Sequence, residues 1–76
     1  MRNVKEILED VLECNIYDEL SKDNCENWDS INHVNIILSL QSEYNIKIEH
    51  HYIDKLLSYK SIREYLKNNS SIDFYE

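Results

Sequence analysis

The sequence predicts an all-α chain: a bundle of three to four helices with a long first loop and a short third helix. Three observations predict it. Apolar residues recur at helical spacing in separate segments, Gly and Pro are both absent, and only one short stretch alternates as a strand would. Without Gly or Pro, turns fall to Asn, Asp and Ser, which bond locally to the backbone or tolerate left-handed geometry. A chain of 76 residues forms one domain. At this size folding buries only about 60% of the unfolded surface, so the core is modest.

Val4, Ile7, Leu8, Val11 and Leu12 build one apolar stripe, placing a first helix at residues 4–14. Asn3 and Glu6 have the spacing of a capping box at its start. From Asn15 to Asp29 the periodicity breaks. Ile16, Tyr17 and Leu20 are expected to anchor this connection, while Asp18, Glu19, Asp23 and Glu26 stay wet. The second helix begins at Asp29 or Ser30, both good caps, and runs to Tyr44. Ile36, Ile37, Leu40 and Tyr44 form its core arc, with Ile31, Val34 and Leu38 beside it and less obviously covered.

Asn45 to Ile48 alternates, but with no partner strand it reads as an extended linker. Residues 50–57 hold the short third helix, with Ile53, Leu56 and Leu57 turned inward. Ser61 and Glu64 suggest a second capping box opening the last helix through Ile62, Tyr65 and Leu66, with Asn68 and Asn69 closing it. The domain is expected to span 1–69. Residues 70–76 form a frayed tail in which Ile72 and Phe74 are able to dock.

Fifteen acidic against eight basic residues give a net charge of -7. That surface repels phosphate backbones and anionic membranes, and favours partner proteins with basic patches. No apolar run reaches the length of a membrane span, and Met1 is followed by a charged helix rather than a secretion signal. The expected location is cytoplasmic, where Cys14 and Cys25 stay reduced; a disulfide would imply another compartment. The expected state is a monomer.

Several chemistries are excluded. No glycine loop is available to cradle a nucleotide phosphate. Asp23 and Asp29 lack calcium-loop spacing and the glycine such a loop needs. His33, His50, His51, Cys14 and Cys25 show no zinc-site spacing, so no metal is expected. A Cys–His nucleophile lacks an orienting third group. Tyr59 and Tyr65 read as packing residues with wet hydroxyls. The chain is therefore not expected to be an enzyme.

Four blocks resemble the acyl carrier protein family. Trp28-Asp29-Ser30-Ile31-Asn32-His33-Val34, followed by Ile36-Ile37-Leu38-Ser39-Leu40, is similar to its Asp-Ser-Leu signature. Glu43-Tyr44-Asn45-Ile46-Lys47-Ile48 resembles its acidic-aromatic-Gly-Ile-x-Ile stretch. Leu57 to Ile62 and then Tyr65-Leu66 resemble its closing pattern. The resemblance spans nearly the whole chain, in order and at matching separations.

It implies an acyl-carrier-like fold and a carrier domain at 1–69. Ser30 is then the attachment residue for phosphopantetheine, transferred from coenzyme A by a phosphopantetheinyl transferase with magnesium, and Asp29 supports the site. The arm would hold acyl or related groups as thioesters and present them to acyl- or aminoacyl-loading and acyl-transferring enzymes of fatty acid, polyketide or other biosynthesis. The resemblance also makes Ile31, Val34 and Leu38 docking positions, flanked by Asp18, Glu19, Asp23, Glu26 and Glu43.

Elementary physics agrees about Ser30. A helix N-terminus presents free amides and the positive end of the dipole, which favour a phosphodiester anion.

The chain departs from the family in its second helix, where Asn32, Asn35, Gln41 and Ser42 leave Glu43 as the sole charge. Asn27 stands where the family has Gly, and Asn also accepts left-handed geometry. Trp28 and His33 resemble specialised carriers outside bulk fatty-acid synthesis. The alternative to a carrier is an acidic helical adaptor that binds a partner through Ile31, Val34 and Leu38, with Ser30 a simple cap and no prosthetic group.

Overall fold

In the computed structural model, residues 3–69 are described. The tail 70–76, with Ile72 and Phe74, lies outside the described residues. The architecture is all-α: α1 (Val4–Leu12), α2 (Ser30–Tyr44), α3 (His50–Ile53) and α4 (Tyr59–Asn69), with no strand among the described residues.

The Asn3 side chain accepts from the Glu6 amide at 2.9 Å, and Glu6 accepts from the Asn3 amide at 3.2 Å. This is the capping box read from the sequence, and it satisfies two amides with no helical partner. α1 ends earlier than expected. Glu13 turns into the left-handed region at φ 53°, and its amide closes back on the Glu9 carbonyl. Asn45 ends α2 the same way, at φ 52°. With no glycine in the chain, a glutamate and an asparagine occupy the conformation glycine takes at most cost-free ends.

α1 packs against α2 and α4. Val4, Ile7, Leu8, Leu12, Ile36, Leu40, Ile62 and Leu66 meet at the centre, each with at most 1% of its surface exposed. Sequestering a side chain of this type contributes about 1.5–3 kcal/mol, which identifies this cluster as the main source of stability.

The third helix is one turn shorter than the expected span. Leu56 is buried beyond its end, Ile53 is half-buried, and Leu57 is exposed. Leu57 was expected inward; in an extended segment neighbours point to opposite sides, so burying Leu56 turns Leu57 out.

The last helix also differs at its start. Ser61 lies in its first turn, and the reciprocal cap pairs Ser58 with Ser61 rather than Ser61 with Glu64. The Ser58 hydroxyl accepts from the Ser61 amide at 3.0 Å, and the Ser61 hydroxyl accepts from the Ser58 amide at 3.1 Å. The helix runs to Asn69.

The first loop is fastened at its middle and near its end. At its midpoint, Ser21 and Ser58 form an isolated bridge, with Lys22 donating to the Leu57 carbonyl at 2.8 Å and Tyr59 to the Leu20 carbonyl at 3.0 Å. Near its end, the Asn27 amide group donates to the Leu12 carbonyl at 2.8 Å, occupying a free acceptor at the end of α1. Ile16 and Leu20 anchor the loop as expected, but Tyr17 is exposed. Trp28 takes the buried aromatic position instead. Asn27 does not adopt the left-handed geometry its position suggested, since Glu13 and Asn45 are the positive-φ residues among those described. It works through its side chain.

Candidate functional site

The site is the head of α2. Asp29 is its N-cap, in extended geometry, and its carboxylate accepts from the Asn32 amide at 2.8 Å. The Asp29 carbonyl accepts the first helical bond, from His33, at 2.8 Å. Ser30 is therefore the first residue inside the helix, not the cap. It is exposed, and no other described residue hydrogen-bonds its hydroxyl. The amides of Ser30 and Ile31 precede the point where helical bonding begins, and they leave partial positive charge beside that oxygen.

Behind Ser30 the chain is held rigidly. Trp28 is 2% exposed and His33 is 7% exposed. The Trp28 indole N–H donates to His33 Nδ1 at 3.0 Å. With Nδ1 accepting, the ring proton sits on Nε2, which donates to the Ile53 carbonyl at 2.7 Å. One neutral imidazole thus joins the loop before α2, the first turn of α2 and the end of α3. Asn32 adds a clasp, donating to the Asn27 carbonyl at 2.8 Å. Sequence reasoning found no structural partner for Trp28 or His33; Trp next to a helix cap, with His one turn in, was the available signal.

Ile31, Val34 and Leu38 lie on the open face of α2, exposed by 74%, 52% and 56%. They descend the helix from Ser30 at spacings of three and four, so they form one stripe next to the hydroxyl. Neither α1, α3 nor α4 covers it. Asp18, Glu19, Asp23, Glu26 and Asp29 are all exposed on the preceding loop. Asp18 is drawn toward Arg63 at 3.7 Å, while the Arg63 guanidinium stacks on the Tyr59 ring at 4.4 Å. Glu43 is half-buried and sits near the far end of α2, about 20 Å along the axis from Ser30. The structure does not group it with the other acidic residues.

No group of three or more metal-ligating side chains occurs among the described residues. No helix among them is long and apolar enough to cross a membrane. Tyr59 is buried, and Tyr65 packs its ring against Tyr52 with centroids 4.9 Å apart. Burial, then the neighbouring Tyr52 and Glu49, push the Tyr65 hydroxyl above its ordinary pKa.

Neither the protein-family models nor the curated proteins contain a match to this chain.

Proposed function

We propose that the chain is a carrier protein that holds acyl or related intermediates as thioesters on a phosphopantetheine arm at Ser30 and itself catalyses nothing. The observation that carries this reading is the division of labour at the head of α2. Asp29 does the capping, which leaves an exposed serine hydroxyl with no structural task. A serine that served only to start the helix would be spending its oxygen on a backbone amide.

The site's residues suit the group. Ser30 supplies the attachment oxygen, unobstructed by packed side chains. The Ser30 and Ile31 amides and the helix dipole favour the phosphodiester anion. Asp29 holds the backbone of the first turn in place around Ser30. The bound arm would supply a terminal thiol that activates a carbonyl for transfer. Tethering raises the effective concentration of a cargo at any docked active site.

Docking falls to Ile31, Val34 and Leu38, which offer apolar contact beside the attachment point. Asp18, Glu19, Asp23, Glu26 and Asp29 add charge complementary to a basic partner surface and speed encounter. The partners are a phosphopantetheinyl transferase and the enzymes that load and remove the cargo, acting on a cytoplasmic monomer.

The test is intact-mass measurement after incubation with coenzyme A, magnesium and a broad-specificity transferase. Wild-type protein should gain the mass of one phosphopantetheine, and Ser30→Ala should gain nothing while keeping its helical circular dichroism. Unmodified wild-type chain, under conditions that modify a control carrier fully, would overturn the reading in favour of the adaptor.

A further inference from the structure

Cys14 and Cys25 are separated by 11 positions in sequence, yet their sulfurs lie 3.7 Å apart. Both are free thiols and both are partly exposed. Each belongs to a segment already fixed by other contacts. Cys14 follows Glu13, whose left-handed turn ends α1. The carbonyl of Cys25 accepts from the Trp28 amide at 3.0 Å, and Asn27 two residues later is bonded to the Leu12 carbonyl. The thiols also line an open hollow of about 240 Å³, shared with Tyr17, Leu20 and Asn24. A small oxidant therefore has a route to both sulfurs.

We propose that Cys14 and Cys25 are a redox modification site: they form a reversible intramolecular disulfide that latches the first loop to the end of α1. The sulfurs need only close from contact distance to about 2.05 Å. The oxidant is a low-molecular-weight disulfide. One cysteine thiolate attacks it and expels one small thiolate, which takes up a proton. The second cysteine attacks the protein-bound sulfur of the mixed disulfide and expels the other small thiolate, protonated in turn. The cysteine pair gives up two electrons and two protons, and the small disulfide takes up both. A reducing thiol pool runs the exchange backwards, so the latch is open under reducing conditions and closes when the pool is oxidised.

Burial and the contact with Cys25 push the Cys14 thiol above its ordinary pKa. Its thiolate is scarce near neutrality, so closure takes minutes to hours without a catalyst. The latch does not rest on the carrier reading.

Wild-type protein is equilibrated with excess oxidised glutathione, then alkylated and weighed intact. Loss of the mass of two hydrogens, with neither cysteine alkylated and both restored by dithiothreitol, is the expected result. The melting temperature should rise by roughly 10 °C on oxidation and return on reduction, because the closed loop restrains the unfolded chain. Cys14→Ser should yield only a glutathione adduct at Cys25, and no such rise. Ser30→Ala should oxidise like wild type, which keeps this result separate from the fate of the carrier proposal. Two alkylatable thiols after full equilibration, a stable glutathione adduct on wild type, or a disulfide-linked dimer would each overturn the latch.

Discussion

Replacing Trp28 by Phe keeps most of the buried ring and removes one N–H. That N–H is the donor to His33 Nδ1, so the substitution leaves an acceptor facing a hydrocarbon edge inside the domain. An unmade bond of this kind costs about 1–3 kcal/mol. His33→Leu removes the acceptor as well as the Nε2 donor to Ile53, orphaning the buried indole N–H and releasing the end of α3. Its expected cost is about 2–4 kcal/mol.

The double variant has no stranded partner at the Trp28–His33 contact, so it should be less damaged than the sum of the singles. A coupling of about 1 kcal/mol or more is expected. Urea denaturation followed by far-ultraviolet circular dichroism gives each stability, since the only tryptophan is the residue being changed. Strict additivity, within about 0.3 kcal/mol, would refute the idea that the imidazole is a working strut.

Three shorter predictions concern single substitutions. Asp29→Ala should destabilise the chain by about 1 kcal/mol through loss of the cap, and slow modification of Ser30 in a transferase assay, with Asp29→Asn restoring stability. Ile31→Asp should change stability by less than about 0.5 kcal/mol, since the side chain is exposed, while raising the transferase KM several-fold with little change in kcat. Glu13→Gly should stabilise by about 0.5–1 kcal/mol in the same urea titration, because glycine enters the left-handed region without steric cost.

The pH prediction follows from the two raised groups. The folded chain holds the Cys14 and Tyr65 protons more tightly than the unfolded chain does. Their contribution is present below their ordinary values of 9.0 and 10.0 and is lost as pH rises past them. Melting temperature should therefore fall progressively on going from neutral into strongly alkaline buffer. An unchanged melting temperature there would contradict the raised pKa of both groups.

The helical parts of the fold were legible because periodicity reports one buried face at a time. The α1 stripe, the Asn3–Glu6 box and the core arc of α2 all emerge from spacing alone. Spacing left the Ile31, Val34 and Leu38 strip only less obviously covered, and the resemblance alone turned it outward; the structure exposes all three. Sequence reasoning did less well where a residue's role depends on a distant partner. Tyr17 and Leu57 were judged by their hydrophobicity and turned out exposed, whereas Trp28 was buried by a histidine five residues on. Ser58 was passed over as a cap because a serine reaching back is a less conspicuous partner than a glutamate. At the site itself the sequence left Asp29 and Ser30 interchangeable as caps. Only the backbone geometry assigns that task to Asp29.

The bridge between Ser21 and Ser58 changes what kind of object the first loop is. It is strapped to the start of α4 at its midpoint and to the end of α1 near Asn27, so its second half is tied to the helices on both sides. The amides of Lys22 and Tyr59 should exchange with deuterated solvent only when the whole domain opens, at rates matching core amides of α1. The second half of the connection therefore behaves mechanically as a further wall of the bundle and not as a tether between helices.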